Sequence, residues 1–541
     1  MTHRHIRRTG RTRVLLSAAA ALTVVTTGGT AQTAQASAPG RTSATHAVDF
    51  STWESRTVAP GVRVLSASLV DPAAEPVWTV TVQAPATGRL SGAATWAAVG
   101  SRSWAGTTRE ELRASGFEPR AETVRWPGYA DTPRGVMGVR VRIGSYATQA
   151  EARSTAEAVT AAGFHPAVDW TGYDAQQPAD RQNLNVAVID PRTFEGTVEG
   201  THGGDVTDRE TTSSVAAGLG SLVGVNAGFF VTSDADGYQG TQAGIGAYDG
   251  ELQSMAAGSR AALIMRDGGR HVRVADLTTT VTVRAGRSRY AAQGINRRPG
   301  VIRNCGRPGA APSARPWQDV TCHAADDLVV FTDRFGAALP TGSGSQAVLD
   351  GTGRVVSVGE RGGTVPAGSA VLQGIGTADA WLTAHARAGQ RMDVSEDIRD
   401  TDGRRVRLSR DDSIVSAAPT LVRDGRIAID AAAEGVVDPA DLSYGYAWAN
   451  TRQPRTMAGV DARGRIVLAT VDGRRSGGSE GFTLQEAAAF MRSLGVVDAV
   501  NLDGGGSTAM AVDGALVNRP SDGAGERAVG DTVQVLPDRA R

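Results

Sequence analysis

The most informative chemical feature of the chain is residues 501–510, in which one carboxylate, Asp503, precedes three glycines and two hydroxyls. The apolar run 496–500 is typical of a short buried strand that would deliver Asp503 at its end. Glycine lets a ligand approach main-chain N–H groups, and successive amides can bind an anion. The segment therefore predicts chemistry on a charged or sugar-like substrate, with a tight turn after a strand as the alternative.

Further polar residues follow other predicted strands. Asn226 can donate to and accept from a sugar hydroxyl, although an asparagine that caps a turn is the alternative. The guanidinium of Arg455 can hold a phosphate in a bidentate fork, and a surface ion pair is its alternative. Asp472 follows a strand, Glu480 precedes a helix and Asp522 lies near the C-terminus. Each of these acidic residues, taken alone, is more often solvated than catalytic.

The sequence disfavours two other kinds of hydrolase. Beyond residue 36 it contains no HxH or HExxH pattern, which disfavours histidine-based zinc chemistry. Ser507 lacks a surrounding GxSxG motif and is therefore not predicted to be a nucleophile. The Asp-rich turn 233–237 has oxygen ligands of the kind that Ca²⁺ takes, but such a turn is more often a solvated loop. We predict neither a metal nor a cofactor.

Two cysteines occur in the chain, Cys305 and Cys322. In an exported protein a single pair more often forms a disulfide than a metal site. The disulfide would close a loop of roughly 18 residues and contribute about 3 kcal/mol by the loop-entropy estimate. Two free buried thiols are the alternative.

The N-terminus has the pattern of a secretory signal peptide, which we assign to residues 1–36. Arginines between 4 and 13 precede the apolar stretch 14–25, and Ala-Gln-Ala at 34–36 fits the cleavage pattern. Residues 37–60 are predicted to be a flexible leader. No later run is apolar enough to span a bilayer, and the zero net charge gives no bulk attraction to nucleic acid. We expect a secreted or cell-wall-associated protein.

Two folded regions follow the leader. Residues 61–94 contain the first strands, which could belong to the larger, C-terminal region. Residues 95–175 combine a strand, the phrase Gly-Ser-Tyr, an Ala-rich helix and Gly-Phe-x-Pro, with a weaker upstream copy. This pattern resembles a SPOR-type repeat, which implies binding to the glycan strands of peptidoglycan. An ordinary α/β insertion without a glycan role is the alternative.

The larger region, residues 183–536, alternates strands with Gly-rich loops and has two predicted helices, 378–388 and 484–494. The second helix would begin after Thr483 and stop at Gly495. We therefore predict an α+β fold with a large mixed β-sheet and few helices, together with a small α/β module.

Taken in order, the polar segments of the larger region resemble the phosphodiester glycosidase family. The resemblance extends over roughly residues 183–536 and rests on the phrases at 226–230, 455–461, 471–474, 481–486, 501–507 and 520–522. It implies hydrolysis of a sugar-1-phosphodiester at the anomeric carbon. The leaving group is a phosphate monoester, a stable anion that needs less acid assistance than an alkoxide. One carboxylate and a phosphate cradle could replace the two carboxylates of ordinary glycosidases.

The resemblance also implies residue roles. Asp503 is the expected base or nucleophile at the anomeric carbon. Asp472 would orient the sugar together with Asn226, and Glu480 is a reserve acid or base. The remaining predicted substrate-binding residues are Arg455, Thr456, Gly504, Gly505, Gly506, Ser507 and Asp522.

We therefore predict an exported hydrolase that acts on sugar-1-phosphodiesters, with cell-wall glycopolymers as a candidate substrate. Its partners would be a carbohydrate phosphodiester and, through the SPOR-like module, peptidoglycan. The alternative is a non-catalytic wall protein that binds peptidoglycan or another glycan.

Overall fold

A computed structural model describes residues 52–86, 96–305 and 315–538. The predicted signal peptide and most of the predicted leader lie outside these residues. The described part is 42% strand and 14% helix, which confirms the predicted α+β class with extensive sheets and few helices. Within it, no helix has both the length and the apolar character needed to cross a membrane.

Six helices occur in the described residues, and two of them show how the sequence sets their ends. They are α1 (Arg102–Ala114), α2 (Gln149–Ala161), α3 (Thr212–Leu219), α4 (Thr377–His385), α5 (Tyr446–Ala449) and α6 (Leu484–Ser493). Helices α2 and α6 each begin with a capping box, formed by Thr148 with Glu151 and by Thr483 with Glu486. Both predicted helices of the larger region are present, as α4 and α6.

The sheet that carries the predicted site is antiparallel and has eight strands. Their order is Glu54–Ala59, Val62–Val70, Arg181–Ile189, Ile466–Val471, Arg455–Asp461, Val496–Asn501, Thr420–Arg423 and Arg426–Ile427. Both of its faces are buried, which explains why the central strand Ile466–Val471 is a nearly continuous apolar run. One face packs against the apolar side of α6.

The other face of this sheet packs on a five-stranded sheet. The order there is Thr197–Thr201, Thr532–Leu536, Val223–Asn226, Met510–Val512 and Ala515–Leu516. The chain passes from the first sheet to the second through residues 502–509, so the glycine segment lies where the two layers meet. Long-range strand pairing, and not local sequence, therefore sets its position.

Two further sheets form the rest of the larger region. The first has Glu251–Ser254, Gly246–Tyr248, Ser413–Ser416, Arg260–Arg266, His271–Ala285, Met392–Asp400 and Arg405–Val406, with Ser288–Ala292 beside His271–Ala285. The second has Gly294–Ile295, Asp327–Thr332, Ala370–Ile375, Ser345–Leu349 and Val355–Glu360. They share one apolar core with α4. The short strand pairs are Glu210–Thr211 with Ala528–Val529, Val301–Arg303 with Thr321–His323, and Ala84–Pro85 with Trp96–Ala97.

A small sheet is built largely from the region predicted to be SPOR-like. Its order is Pro119–Arg125, Val136–Tyr146, Trp78–Val82 and Pro166–Trp170. One face is covered by α1 and α2 through a separate apolar core. On the other face Arg140 and Arg142 are buried and both bond to Asp174. The strand Trp78–Val82 thus belongs to the small sheet. The strand Val62–Val70 belongs to the eight-stranded sheet. The SPOR-like assignment stays a prediction.

The predicted disulfide between Cys305 and Cys322 is formed, with an S–S distance of 2.05 Å. It joins Cys305, two residues beyond the strand Val301–Arg303, to Cys322 in the middle of the partner strand Thr321–His323. The disulfide thus holds the loop that contains Trp317 and Asp319 against the larger region.

Replacing both cysteines by serine is expected to lower the free energy of unfolding by about 3 kcal/mol, because the open loop gains entropy in the unfolded state. Urea unfolding of the double variant and of the wild type measures the difference. Dithiothreitol should destabilise the wild type and leave the variant unchanged. Equal unfolding curves for the two proteins would contradict the prediction.

Candidate active site

The glycine segment is fixed by backbone hydrogen bonds on both sides. The N–H of Asp503 donates to the carbonyl of Ala227 (2.8 Å), and the N–H of Gly505 donates to that of Pro454 (2.9 Å). The amide of Gly504 donates to the Asp503 carboxylate at 2.9 Å, and that of Ser507 donates to the carbonyl of Gly504. Among the described residues, no partner is found for the amide of Gly506. The loop therefore leaves one of the four predicted anion-binding amides free.

The three glycines allow other groups to lie against this loop. A Cβ at Gly505, where φ is +60°, would lie 2.9 Å from a guanidinium nitrogen of Arg474. A Cβ at Gly506 would collide with the guanidinium of Arg527 and the carboxylate of Asp522. At Gly504 it would lie 2.7 Å from the carbonyl oxygen of Pro454. The absence of side chains thus brings two cationic side chains onto the loop.

Arg474 and Arg527 differ in how far their charge is neutralised. Arg527 pairs with Asp522 at 2.7 Å. Arg474 is exposed and donates to the neutral side chain of Gln453 at 2.6 Å, and it forms no salt bridge within the described part of the chain. Partial desolvation of the guanidinium by neighbouring residues and then the charge of Arg527 lower the pKa of Arg474. This local excess of positive charge suits an anionic ligand.

Asp503 is partly buried beside these cations. Burial raises the pKa of its carboxyl to about 7, against the lowering effect of the Ser507 hydroxyl and of Arg527. The negative charge of Asp319, on the disulfide-closed loop, also raises this pKa. A carboxyl with a pKa near neutrality can exchange a proton with a reacting group at physiological pH.

Arg455 is fully buried and lies next to the loop through Gly504. Its Nε donates to the carbonyl of Phe482 at 3.0 Å, its Nη2 donates to the carbonyl of Trp448, and the guanidinium lies 4.5 Å from the Trp448 ring centroid. Its Nη1 has no hydrogen-bond partner within the described residues. Because the group is desolvated, its pKa is lowered to about 9. Its charge can act on the loop only through the electrostatic field, unless the surrounding structure opens.

Asn226 and Thr456 hold the backbone of the loop. The side-chain oxygen of Asn226 accepts from the Thr456 hydroxyl at 2.6 Å and from the amide of Ala509 at 3.1 Å. Its side-chain nitrogen donates to the carbonyl of Asp503 at 2.8 Å. Both side chains are fully buried. In this structure they position Asp503 and are shielded from solvent.

The carboxylate of Asp472 is placed in a different cavity. It accepts from the amide of Arg519 at 3.0 Å and from the side chain of Asn518 at 3.2 Å. It lines an open cavity of about 510 Å³ that also contacts Asn183 and Asn185. Burial raises its pKa. Among the described residues it has no hydrogen bond to the glycine loop.

Glu480 is fully buried and binds the segment that leaves the small sheet. One oxygen accepts from the indole N–H of Trp170 at 2.9 Å, and the other accepts from the amide of Asp180 at 2.8 Å. Burial raises the pKa of this carboxyl. Both oxygens are thus already engaged, and the structure does not bring this carboxylate to the loop.

The cluster at the loop therefore consists of Asp503, residues 504–507, Asp522, Arg474 and Arg527, with Asn226, Thr456 and Arg455 buried next to it. Sequence reasoning missed Arg474, Arg527 and Asp319 as site residues. Arg474 stands two residues after Asp472, in the phrase at 471–474, and Arg527 stands five residues after Asp522, beyond the phrase at 520–522, and that proximity was an available signal. Asp319 gave no such signal, because only tertiary structure brings it near Asp503.

Parts of the chain are similar to known proteins. The family model described as phosphodiester glycosidase matches residues 343–536. N-acetylglucosamine-1-phosphodiester alpha-N-acetylglucosaminidase from Mus musculus is 34% identical over 110 residues, which cover 20% of this chain and 21% of that protein. The Homo sapiens protein of the same name is 33% identical over 128 residues, covering 24% of this chain and 23% of that protein. The chain thus spans less than a quarter of these curated relatives.

A solved structure resembles the chain over a much larger part. It is a candidate exported protein from Burkholderia pseudomallei K96243, with 32% identity, a TM-score of 0.77, and coverage of 90% of this chain and 96% of that one. A hypothetical protein from Synechocystis, at 17% identity and a TM-score of 0.50, shows the fold alone. Asn226, Asp319 and the small sheet lie outside the segment matched by the family model.

Proposed function

The chain belongs to the phosphodiester glycosidase family, and we propose that it hydrolyses a sugar-1-phosphodiester at the anomeric carbon. The observation that carries the proposal is the position of Asp503. A carboxyl with a pKa of about 7 lies on a glycine loop against which the guanidinium groups of Arg474 and Arg527 pack. The site therefore offers a proton acceptor and an anion-binding surface side by side.

The reaction needs one bond to form and one to break. In our proposal Asp503 accepts a proton from a water molecule while the water oxygen bonds to the anomeric carbon. The bond between that carbon and the phosphate oxygen breaks, and its electron pair leaves with the phosphate monoester. A base is most effective when its pKa lies near the working pH, which favours a base over a nucleophile as the role of Asp503.

The cationic groups would stabilise the departing phosphate. Arg474 is exposed and can form a bidentate pair with phosphate oxygens. Arg527 and the free amide of Gly506 would add further donors, and the buried charge of Arg455 would raise the local potential. Fixed hydrogen-bond donors are most effective when they stabilise the negative charge that develops on the leaving oxygen. This assignment moves the main phosphate contacts from the loop amides to side chains.

Direct product analysis tests the proposed function. The full chain is incubated with a panel of sugar-1-phosphodiesters that differ in sugar and aglycone, and the products are separated. We expect a free reducing sugar and a phosphate monoester from at least one compound. An absence of turnover across the panel would overturn the proposal.

The pH dependence of kcat/KM reports on Asp503 in the free enzyme. The base must be ionised, so kcat/KM should fall by about tenfold per pH unit below an apparent pKa of about 7. Initial rates between pH 4 and pH 9, at constant ionic strength, measure this limb. A rate that stays constant down to pH 5 would contradict the assignment of Asp503 as the base.

Glu480 is expected to act as a structural residue. Glu480→Gln keeps an acceptor for Trp170 but places an amide N–H against the N–H of Asp180, so we expect a loss of about 1–3 kcal/mol of stability. The acid limb of the pH profile should not move. Trp170→Phe removes the indole donor and part of a buried ring that packs on Trp78, so it should also lower the stability and leave the acid limb unchanged. A drop in kcat of more than 100-fold at unchanged stability would instead indicate an acid–base role.

We further propose that the substrate lies outside the cell, on a wall glycopolymer. The disulfide supports an oxidising compartment. Peptidoglycan binding by the region around the small sheet is a separate proposal. Because Arg140 and Arg142 are buried against Asp174, their guanidinium groups are not free to bind a glycan.

A further inference from the structure

A cavity of about 300 Å³ lies between the small sheet and the larger region. Trp126, Met137 and Arg140 line it from the small-sheet side, and Tyr446, Gln485 and Glu486 line it from the other side. Pockets of this size suit small ligands, and they occur preferentially where two structural units meet. Nothing in the proposed reaction uses it.

Two aromatic side chains in its wall have polar groups without partners. Trp126 and Tyr446 are both partly buried, and neither the indole N–H nor the phenol hydroxyl has a hydrogen bond to any described residue. Other such groups are bonded, for example the indole N–H of Trp170 to Glu480 and the hydroxyl of Tyr129 to the carbonyl of Ala449. Trp and Tyr usually find a partner when they are buried. These two groups are therefore available to a ligand.

An amide adds a further unpaired group to the same wall. The side-chain oxygen of Gln485 is buried and has no hydrogen-bond partner within the described residues. A buried unpaired acceptor costs free energy, which a ligand hydroxyl would recover. Amide and aromatic groups together match a molecule with apolar C–H faces and hydroxyl edges.

Three of the four charged residues of the wall, Arg140, Asp174 and Glu486, are paired, whereas Arg125 is exposed and forms no salt bridge with the described residues. Arg140 donates to both oxygens of Asp174, at 2.7 and 2.9 Å. Glu486 accepts from Arg452 at 2.6 Å. The charge of Arg125 is solvated, and a charge buried against the paired residues would lack a counter-ion, so the inner wall of the cavity favours a neutral ligand. It differs in this respect from the cationic glycine loop.

We propose that this cavity binds a neutral sugar unit of a glycan. A pyranose would stack on Trp126 and Tyr446 and hydrogen-bond to Gln485. Helix α5 carries Tyr446 in this cavity and Trp448 beneath Arg455, so the two sites are separated by one short helix. We infer that the same glycan also carries the cleaved phosphodiester, and this step rests on the proposed function. The binding of a sugar in the cavity does not depend on the proposed function.

Titration calorimetry with phosphate-free oligosaccharides tests the site on the full chain. The probes are the β-1,4-linked tetramer of N-acetylglucosamine, cellotetraose, maltotetraose and, as a charged comparison, tetragalacturonate. We expect at least one neutral probe to bind, Trp126→Ala to weaken it by about tenfold or more, and Tyr446→Phe to weaken it by about threefold to tenfold. Trp96→Phe is the control, because Trp96 stacks on His165 outside the cavity.

The absence of binding by every neutral probe would overturn the inference. So would equal binding of tetragalacturonate, or binding that is insensitive to both Trp126→Ala and Tyr446→Phe. Tyr446→Phe keeps the ring and remains informative if Trp126→Ala does not fold. Turnover of small phosphodiesters without oligosaccharide binding would contradict only this inference. Oligosaccharide binding without turnover of phosphodiesters would contradict only the proposed function.

Discussion

Asp503→Asn is expected to lower kcat/KM for a sugar-1-phosphodiester by about 10²- to 10⁴-fold, the usual contribution of a positioned base. Asparagine has the same shape and can still accept from the amide of Gly504, so the loop should keep its conformation. It cannot accept a proton from water. Initial rates at pH 8, where Asp503 is ionised, give the comparison.

The same variant should be more stable at high pH. Because the fold raises the pKa of Asp503, its stabilising contribution is present below the unfolded-state pKa and is lost as the pH rises through about 7. Asparagine does not ionise, so thermal unfolding should favour the variant more at pH 8 than at pH 4. Asp498→Asn is a matched control on the strand that precedes Asp503, since among the described residues its carboxylate accepts only from the amide of Asp424. Full activity of Asp503→Asn would refute the assignment.

Arg474→Met is expected to lower kcat/KM by about 10²- to 10³-fold, because it removes an exposed donor pair aimed at the departing phosphate. Arg474→Lys should recover part of the loss, as it restores the charge without the planar fork. The acid limb of the pH profile should move to higher pH, because a cation that favours ionised Asp503 is lost. Steady-state kinetics across pH measure both effects.

Arg391→Met provides the control for that series. Arg391 forms an exposed ion pair with Asp393 on a different sheet, and its loss should leave the kinetics unchanged. If Arg474→Met matched the wild type in kcat/KM, the anion-binding role would be untenable. A loss of the same size in Arg391→Met would point to a general effect of removing arginine.

The parts of the site that the sequence predicts are those with local patterns. The apolar run 496–500 predicts the strand that delivers Asp503, and the structure contains it as Val496–Asn501. The capping box at Thr483 and Glu486 predicts the start of α6. These features depend on neighbouring residues, for which periodicity and capping rules are sufficient.

Long-range contacts account for what the sequence does not reveal. The glycines suggest free amides, but three of the four amides are bonded inside the protein, and the missing side chains instead admit Arg474 and Arg527. Glu480 looks like a free acid near a helix start. Its partners Trp170 and Asp180 stand about 300 residues earlier in the chain, and no local pattern encodes such a pairing.

The small sheet gives a similar lesson. The strands predicted within residues 61–94 could belong to the larger region, and Val62–Val70 does, whereas Trp78–Val82 does not. It pairs instead with Val136–Tyr146 and Pro166–Trp170. Strand type is a local property, whereas strand pairing depends on which apolar faces meet in the folded chain.

Hydrolysis in ¹⁸O-enriched water is the most direct test of cleavage at the anomeric carbon. Attack at that carbon places the heavy oxygen in the free sugar and leaves the phosphate monoester unlabelled. Mass spectrometry of both products at an early time point, before the sugar exchanges with solvent, distinguishes the two bonds. The account predicts label in the sugar alone. Label in the phosphate monoester would show cleavage of the phosphorus–oxygen bond and would contradict it.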